Sequence, residues 1–402
     1  MELGSVLQFL ENKTILVTGA TGAVDAKSAR ERLHDEVIGK ELFKVIREKH
    51  GASLHSFISE KVAAVPGDIS YEELGVKDCS LKDEMWREID VVLNFAATTN
   101  FDERYDVALG INTLGALHVL NFAKKCVNVK MLVHVSTGEA RRFGWPNTYV
   151  FTKAMGEMLV VNFKDDLPVL IIRPTMVAST YKEPFPGWIE GVRTIDSIIV
   201  GYGKGKVSCF ISGPQATLDV IPADMVVNAI TVAMVARARQ HPESVYHLGS
   251  SLRNPVNFSN LHDFSFRYFS ENPWINKEGE AVKIGRGTVL SSMSKFYTYM
   301  TIRYLLPLKA LQLFNTLLFK RYQDEYTVLD RKLKLVMRLV DLYKPYVFFE
   351  GIFDDMNAEK LRIASRETCL EADVFDFDPV SIDWEDYMMN AHIPGLVKYV
   401  MK

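Results

Sequence analysis

The sequence predicts an α/β protein with a Rossmann-like, doubly wound parallel sheet, followed by a mostly helical C-terminal domain. Two observations support this prediction. Short apolar runs alternate with segments of helical periodicity through the first 260 residues, and polar residues follow each apolar run. Ligands of such sheets bind beyond the carboxyl ends of the strands, so these polar residues are candidates for a site. The chain has 402 residues, which favours two domains over one.

The predicted elements follow one another in a regular order. Strands are predicted where apolar or β-branched runs end in glycine, proline or polar residues, at 14–17, 62–65, 91–94, 131–135 and 169–172. Helices are predicted from apolar spacings of three and four residues within the charged stretch 25–49, around 108–125 and over 148–162. No second strand is visible between the first two strands, so the first crossover of the sheet is predicted to be incomplete.

The pattern changes near residue 260, which divides the chain into three parts. We expect a Rossmann-like domain at 1–260, a polar connector at 261–295 and a helical domain at 296–402. Within the helical part, the apolar segment 304–319 is interrupted by Pro307, Lys309, Gln312 and Asn315. It is shorter than the ~20 residues of a membrane-spanning helix. It is therefore interpreted either as a core helix or as an interfacial helix that lies on a membrane.

The composition excludes several classes of protein. The chain is 48% hydrophobic and 24% charged, which is typical of a globular protein, and its net charge of −3 gives no reason to expect a nucleic-acid partner. Its four cysteines are far apart and form no pair or Cys/His cluster, so neither a metal site nor a disulfide framework is predicted. The first five residues lack the features of a signal peptide, and a reducing compartment is expected.

A glycine turn directly follows the first predicted strand. The run TGATG places Gly19, Thr21 and Gly22 between that strand and the next helix. Glycines at such a turn let main-chain N–H groups approach a diphosphate, and the dipole of the following helix favours its charge. A Gly-x-x-Gly turn is common in proteins, but its position after an N-terminal strand favours dinucleotide binding over an ordinary turn.

A tyrosine and a lysine four residues apart form a second motif. Tyr149 and Lys153 share one face of the helix predicted at 148–162. The lysine can lower the pKa of the phenol and contact a cofactor ribose, and the phenol can exchange a proton with a carbonyl oxygen whose carbon receives hydride. Ser136 and Thr137 end the preceding strand, where a hydroxyl can hold that oxygen. The alternative is a buried tyrosine beside a surface lysine.

The same spacing recurs at Tyr202 and Lys206. This second match lies among glycines, is not expected to be helical and follows no strand of the sheet, so it is interpreted as a solvated basic loop. The Tyr-x-x-x-Lys spacing therefore carries little weight alone, and the hydroxyl groups at the strand end distinguish the first match from the second.

Other strand ends carry further candidates for cofactor binding. Each one alone is typical of ordinary turn or cap chemistry, but together they occupy one rim of the predicted sheet. The candidates are Asp68, for an adenine amine; Asn94 and Ala96, beside the adenosine ribose; Asn112, on the next helix; and Pro174 with Thr175, at the nicotinamide.

These motifs together resemble a known family. The runs TGATG, PGDIS, HVST and RPTMV resemble the extended short-chain dehydrogenase/reductases. The segments AATTNFDERYDVALGINTLGA and RRFGWPNTYVFTKAMGE resemble the plant alcohol-forming fatty acyl-CoA reductases in particular. The segment YKPYVFFEGIFDDMNAEKLR is similar to the helical male-sterility-type domain of the same family.

The resemblance implies NADPH as the reductant and a long-chain or very-long-chain acyl-CoA as the substrate. Two hydride additions would convert the thioester to an aldehyde and then to a primary alcohol for wax or suberin, with release of CoA. Tyr149 is implied as the proton donor and Lys153 as its partner, beside Thr137 and Ser136. Peripheral association with the endoplasmic reticulum is expected because the substrate is insoluble, with a cytoplasmic protein as the alternative.

Two departures from the family keep other functions open. The chain enters a charged helix soon after Gly22, where the family has an apolar helix and a second strand, and Asp25 places a negative charge near the diphosphate site. Such a charge at about 4 Å is unfavourable by roughly 1–4 kcal/mol. A long insertion of the family between Thr137 and Tyr149 is also missing.

A catalytically impaired member of the family that binds acyl-CoA or a partner is therefore an alternative function. A reductase of a soluble carbonyl is another, which the long helical domain disfavours.

Overall fold

The structure is a computed structural model that describes residues 3–20, 26–138, 144–213, 216–239, 244–317 and 322–401. The strands in chain order are β1 (Ile15–Thr18), β2 (Val91–Asn94), β3 (Met131–Val135), β4 (Val169–Pro174), β5 (Met176–Ala178), β6 (Cys209–Ile211), β7 (Thr217–Leu218), β8 (Val220–Pro222), β9 (Val245–Leu248), β10 (Val256–Asn257) and β11 (Thr288–Leu290). Five of them form a parallel sheet in the order β1, β2, β3, β4 and β9. The others pair as β10 with β7, β11 with β6 and β5 with β8.

Helices make up most of the remaining structure. The α-helices in chain order are α1 (Val6–Leu10), α2 (Ala26–Arg32), α3 (Lys44–His50), α4 (Leu54–Lys61), α5 (Cys79–Glu88), α6 (Tyr105–Ala108), α7 (Gly115–Lys125), α8 (Thr148–Phe163), α9 (Thr194–Gly203), α10 (Ala223–Ala238), α11 (Phe258–Glu271), α12 (Met293–Met300), α13 (Leu306–Leu317), α14 (Gln323–Val347), α15 (Met356–Thr368), α16 (Trp384–Asp386) and α17 (Ile393–Tyr399). A π-helical segment, Leu109–Leu114, joins α6 to α7. The helices predicted at 108–125 and 148–162 are thereby confirmed.

The central strands are aligned so that their carboxyl ends meet at one edge. Ile15 of β1 lies opposite Val91 of β2, which lies opposite Met131 of β3, and the same parallel register continues through β4 to β9. The strands in the middle of the sheet are buried on both faces, which is typical of parallel sheets. This alignment confirms the α/β fold and the carboxyl edge predicted from the sequence.

Among the described residues, the central sheet has no strand on the outer side of β1. In a doubly wound sheet the first strand lies inside the sheet, but here β1 forms its edge. The described residues between β1 and β2 form helices and coil without a strand, so the incomplete crossover is confirmed. The prediction of a strand at 62–65 is wrong, since these residues are coil and do not pair with another described strand. In a complete sheet such a strand would pair with the second strand, which the described residues do not contain.

Two apolar cores cover the two faces of the sheet, as the alternation of side chains along each strand requires. Along β4, Leu170 and Ile172 point into one core and Ile171 points into the other. The first core includes α10 and, near the end of the chain, Tyr387 and Leu396. The second core includes α7. The last residues of the chain therefore share a core with the central sheet.

A smaller apolar cluster lies around the first helix of the helical part. Leu290, Phe296 and Met300 are buried there, with Met337 and Val340 of α14 packed against them. Strand β11 lies within the polar segment predicted as a connector and pairs with β6, which its sequence did not indicate. Across the described residues, no helix combines the length and the hydropathy needed to cross a bilayer.

Candidate active site

Helix α8 carries Tyr149 and Lys153 and begins at a side-chain cap. The side-chain oxygen of Asn147 accepts a hydrogen bond from the main-chain N–H of Val150 at 2.9 Å, which satisfies one of the unpaired N–H groups at the helix start. One turn later, Nζ of Lys153 donates a hydrogen bond to the main-chain oxygen of Val135 at 2.6 Å, and the residue is only 2% exposed. Because Val135 ends β3, the lysine is fixed at the carboxyl edge of the sheet.

The ring of Tyr149 lies above the same edge. It stacks on Phe101 with 5.7 Å between the ring centroids and 16° between the ring planes. Phe101 belongs to the loop that follows β2, so this stack places the phenol beyond the carboxyl end of that strand. The structure thus brings Tyr149 and Lys153 together as their spacing predicts, and their catalytic roles stay a prediction.

Ser136 and Thr137 follow directly after β3. The main-chain N–H of Ser136 donates to the oxygen of Ile172 at 2.7 Å, which extends the pairing with β4 by one residue. The hydroxyl of Ser136 is buried and has no hydrogen-bond partner among the described residues. Leaving such a group unsatisfied costs about 1–3 kcal/mol, so a ligand oxygen beside it would be favoured. Thr137 is half-buried next to it.

The glycine turn after β1 closely approaches the chain after β2. Gly19 has a φ of +88°, and a Cβ added there would lie 2.6 Å from Cα and 2.7 Å from the main-chain nitrogen of Ala96. Only glycine fits this position, because any other side chain would collide with the main chain of the neighbouring loop. Two predicted cofactor residues, Gly19 and Ala96, therefore meet. Thr21 and Gly22 lie outside the described residues.

Asn94 is buried at the end of β2 and holds the strand ends together. Its Oδ1 accepts a hydrogen bond from Oγ1 of Thr18 at 2.8 Å, and its Nδ2 donates to Nδ1 of His134 at 3.1 Å. Burial and the charge of Lys153 keep the pKa of His134 well below its usual value, so the imidazole is neutral. The side chain predicted to lie beside a ribose is thus engaged within the sheet.

Asn112 joins the loop after β2 to helix α8. Its Oδ1 accepts from the main-chain N–H of Thr98 at 2.9 Å, and its Nδ2 donates to the main-chain oxygen of Thr98 at 3.1 Å and to Oγ1 of Thr152 at 3.0 Å. A Cβ at Gly156 would lie 2.2 Å from the main-chain oxygen of Asn112, so α8 packs directly on the π-helical segment. Asn112 therefore positions the elements that carry Phe101 and Lys153.

The other predicted rim residues have different surroundings. Thr175 follows β4, and its buried hydroxyl oxygen has no partner among the described residues. Pro174 is the last residue of β4 and lies at the same edge. Oδ1 of Asp68 accepts from the main-chain N–H and the hydroxyl of Ser70 at 2.9 and 2.8 Å, which forms a local turn. Because 62–65 is not a strand, Asp68 does not follow a strand of the central sheet.

Arg173 on β4 is the centre of a network that sequence reasoning missed. Its Nε donates to Oε2 of Glu157 on α8 at 2.9 Å, and its Nη1 donates to Nε2 of His247 on β9 at 3.0 Å. The Nδ1 of His247 donates to the main-chain oxygen of Asp354 at 2.9 Å, so the ring is neutral and carries its proton on Nδ1. Burial lowers the pKa of His247, which favours this form. The network links α8 and the sheet to the helical part.

Aromatic residues from the helical part also reach Tyr149. Phe101, which stacks on Tyr149, contacts Tyr343 at 5.7 Å and Tyr346 at 5.5 Å between ring centroids. The side-chain amide of Asn147 donates to the hydroxyl of Tyr346 at 2.7 Å. No sequence signal identifies this cluster, because Tyr343 and Tyr346 are distant in sequence from Phe101 and Tyr149 and only the fold brings them together.

The second Tyr-x-x-x-Lys match has a different environment from the one expected. Tyr202 lies in the last turn of α9 and is 1% exposed, so the interpretation as a solvated loop is wrong for this residue. Its apolar neighbours, which the glycine-rich run obscured, draw the ring into the first core. The hydroxyl donates to the main-chain oxygen of Gly285 at 2.8 Å, which is a structural contact away from the strand ends.

An apolar cavity of about 650 Å³ lies between the core of the first part and α12 to α14. Phe210 and Leu261 line one wall, and Leu333 lines the opposite one. Tyr343 lines the cavity and also contacts Phe101, so the cavity approaches the stack on Tyr149. Its volume is within the range of roughly 300–1,000 Å³ that is usual for ligand pockets.

The described residues contain no cluster of His, Cys, Asp and Glu that could hold a metal ion.

The fold and the site together define a nicotinamide-dependent reductase of the short-chain dehydrogenase/reductase type. The close approach of Gly19 to Ala96 fits such a cofactor at the carboxyl edge, as do the hydroxyls of Ser136 and Thr175, which have no partner within the described part of the chain. Two family models, both described as male sterility protein, match the chain, one at residues 8–143 and 138–230 and the other at 303–402.

Curated relatives cover the whole chain. The alcohol-forming fatty acyl-CoA reductase of Simmondsia chinensis is 49% identical, with 100% of this chain and 99% of the relative covered. Fatty acyl-CoA reductase 1 of Arabidopsis thaliana is 46% identical, with 98% and 99% covered. The chain belongs to the alcohol-forming fatty acyl-CoA reductase family. The alignment with the Simmondsia protein extends over 490 positions although this chain has 402 residues, so internal segments of the relative are missing here.

Solved structures show the same fold at low sequence identity. The terminal R domain from the myxalamid PKS-NRPS biosynthetic pathway has a TM-score of 0.59 at 19% identity, and 97% of this chain and 92% of that one are covered. The reductase domain of a non-ribosomal peptide synthetase from Mycobacterium tuberculosis has a TM-score of 0.58 at 15% identity, with 99% and 88% covered. Both resemblances extend through the helical part as well as the sheet.

Proposed function

We propose that the chain reduces long-chain or very-long-chain fatty acyl-CoA to a primary alcohol with NADPH, through an aldehyde and with release of CoA. The observation that supports this most directly is the position of Tyr149 and Lys153 at the carboxyl edge of the sheet. Tyr343, which lines the apolar cavity, contacts Phe101 beside Tyr149, so the cavity lies close to this place and suits an acyl chain. The family of the chain supports a CoA thioester as the substrate.

The side chains at this edge would act on the carbonyl oxygen of the substrate. The nicotinamide, when bound, supplies hydride to the carbonyl carbon. Tyr149 gives its phenolic proton to the oxygen, and the hydroxyl of Ser136 or Thr137 holds that oxygen in place. Lys153 stabilises the phenolate that remains. When the CoA thiolate departs, the hydroxyl proton of the adduct returns to the phenolate of Tyr149 and the thiolate takes a proton from solvent, which leaves the aldehyde. A second hydride and the restored proton of Tyr149 give the alcohol.

The experiment uses purified full-length protein, acyl-CoAs of increasing length and NADPH deuterated at the transferable position. The expected product is a primary alcohol with two deuterium atoms on its first carbon, because both hydrides add to the same atom. An aldehyde trap is expected to capture a species with one deuterium atom. If neither product forms at any chain length, the proposal is wrong, and a parallel series with NADH tests the choice of cofactor.

We further propose that the protein associates peripherally with the endoplasmic reticulum through α13 and the turn before it. An apolar stripe on this segment is solvent-exposed, with side chains at helical spacing and exposures of 65%, 54%, 69% and 73% for Ile302, Leu306, Leu313 and Leu317. The basic Arg303 lies beside the stripe. An exposed apolar face flanked by basic residues is typical of helices that lie in a membrane interface.

Flotation with liposomes of endoplasmic-reticulum composition tests this association. Leu313→Glu combined with Leu317→Glu is expected to leave the protein at the bottom of the gradient, because charged side chains oppose insertion of the stripe. Leu370→Glu is the matched control, since Leu370 is 80% exposed on a different part of the surface. Equal flotation of the wild type, the double variant and Leu370→Glu would show that the apolar stripe does not contact the membrane.

A second candidate function is acyl-CoA binding without turnover. The observation that favours it is that the described residues contain no strand on the outer side of β1, because the second strand normally carries the groups that contact the adenosine ribose. NADPH fluorescence titration separates the two candidates. Retained acyl-CoA binding with no measurable NADPH binding, or NADPH binding with no product, would favour this function over reduction.

A further inference from the structure

We infer that the apolar cavity holds the acyl chain and that helix α14 sets the maximum length of chain it accepts. The inference rests on the proposed function, because it assigns the acyl part of that substrate to one surface of the molecule. It concerns residues of the helical part that have no role in proton transfer.

One face of α14 lines the cavity along most of the helix. The residues on this face are separated by three or four positions, so they form one continuous stripe. They are Val347, Tyr343, Val340, Val336, Leu333 and Leu329, and Leu339 and Lys332 line the cavity beside this stripe. A ligand that follows this stripe therefore passes one helical turn after another, and each turn corresponds to a fixed distance from the active site.

The stripe approaches the active site near its C-terminal end. Tyr343 lines the cavity and contacts Phe101, and Phe101 stacks on Tyr149. The other end of the stripe, at Leu329, lies fourteen residues earlier in the helix. A chain whose carbonyl carbon is at Tyr149 would therefore pass Phe101, enter at Tyr343 and extend toward Leu329.

The length of the stripe matches a long acyl chain. Fourteen residues of α-helix span about 21 Å. An extended chain of single bonds advances about 1.2 Å per bond, as the ~3.3–3.6 Å per three-bond residue of an extended polypeptide shows. The stripe from Tyr343 to Leu329 is therefore as long as about 17 carbon–carbon bonds, and one helical turn corresponds to four or five carbons.

The exposed surfaces of the stripe favour an apolar occupant. Val336 and Leu329 line the cavity and are 42% and 47% exposed, so a ligand there would cover apolar surface that is now in contact with solvent. The opposite wall contributes Phe210 and Leu261, which are also apolar. A chain of methylene groups is an occupant that would remove this apolar surface from water.

The test places a tryptophan at two points along the stripe and at one point off it. Val336→Trp and Leu329→Trp obstruct the cavity seven residues apart, which is about 10.5 Å or roughly nine carbons. Leu335→Trp is the matched control, because Leu335 is 57% exposed, adjoins Val336 and does not line the cavity. Because all three positions are exposed, the substitutions are compatible with folding, and thermal unfolding of each variant checks this. Phenylalanine at the same positions provides a second, smaller series.

Turnover and binding are measured with saturated acyl-CoAs that differ by two carbons. The longest chain accepted is expected to be shorter for Val336→Trp than for Leu329→Trp by roughly nine carbons, and unchanged for Leu335→Trp. Displacement of a fluorescent polyene fatty acid gives the same cutoffs without catalysis. If the wild type makes no alcohol but the binding cutoffs shift in this order, the proposed function fails and the inference stands. If the wild type is active and the cutoffs are equal, reversed or also shifted by Leu335→Trp, the inference is overturned.

Discussion

The amide of Asn147 donates a hydrogen bond to the hydroxyl of Tyr346 at 2.7 Å, across 199 positions of sequence. The oxygen of the same amide caps helix α8 by accepting from the main-chain N–H of Val150. One side chain thus starts the helix that carries Tyr149 and Lys153 and fixes it to α14. Burial raises the pKa of the Tyr346 hydroxyl, so it stays protonated.

Substitutions at Asn147 separate these two contacts. Asn147→Ala removes both and is expected to lower the free energy of unfolding by about 2 kcal/mol, since a cap and a buried hydrogen bond contribute about 1 kcal/mol each. Asn147→Ser keeps a capping oxygen but is too short to reach Tyr346, and Tyr346→Phe keeps the cap intact. Each is expected to lose about 1 kcal/mol in urea titrations. Equal losses for the alanine and serine variants would show that the cap contributes nothing.

Tyr149→Phe tests the proton donor. The variant is expected to lose turnover by about 10²–10⁴-fold, the usual contribution of a positioned general acid. Its affinity for NADPH and its unfolding temperature are expected to remain close to those of the wild type, because the ring still stacks on Phe101. Tyr202→Phe, at the second Tyr-x-x-x-Lys match, is the control and is expected to keep its turnover. Unchanged product formation by Tyr149→Phe would exclude the phenol from the chemistry.

Gly19→Ala tests whether the close approach of Gly19 to Ala96 is needed for nucleotide binding. The new methyl group would lie 2.6 Å from Cα of Ala96, so the two loops must separate, and NADPH affinity is expected to fall at least tenfold. Gly279→Ala is the matched control, since Gly279 has a similar φ of +81° and nothing within 4 Å of the added atom. It is expected to lose only about 1 kcal/mol of stability from backbone strain. Isothermal titration with NADPH measures both variants, and equal affinities would show that Gly19 is not part of the nucleotide site.

The sequence was sufficient to predict those parts of the fold that depend on local patterns. Buried apolar runs gave β2 and β3 with the correct bounds, and helix α8 was predicted within one residue of its end. The run at 62–65 has the same local pattern but forms no strand, because pairing depends on a neighbouring strand that is absent from the described part of the chain. Local propensity does not contain that information.

The site was predictable to a similar degree. The four-residue spacing of Tyr149 and Lys153 and the strand end before them follow from helix and sheet geometry, so the sequence could place them together. The contacts of Phe101, Tyr343 and Tyr346 depend on how the helical part folds back over the sheet, and no periodicity predicts them. Asn94 and Asn112 were identified as polar residues at the edge, but only the structure shows that their amides bind protein groups.

The network around His247 leads to a prediction about pH. Its folded pKa is lowered by burial, whereas the unfolded chain titrates near the ordinary value of about 6.5. Below that pH the unfolded state binds more protons than the folded state, so the free energy of unfolding decreases, by at most about 1.4 kcal/mol per pH unit for one histidine. Protonation would also remove the acceptor of Arg173, and its positive charge would repel the guanidinium.

His247→Gln isolates this contribution, because a glutamine amide can accept from Arg173 and donate to the main-chain oxygen of Asp354 but does not titrate. The variant is expected to match the wild type at pH 7.5 and to lose less stability than the wild type between pH 6.5 and 5. His134 and His262, whose pKa values are also lowered by burial, remain in both proteins and cancel in the difference. Thermal unfolding across this pH range gives the comparison. Parallel curves for the two proteins would mean that His247 takes up no proton on unfolding, and the neutral bridge between Arg173 and Asp354 would be wrong.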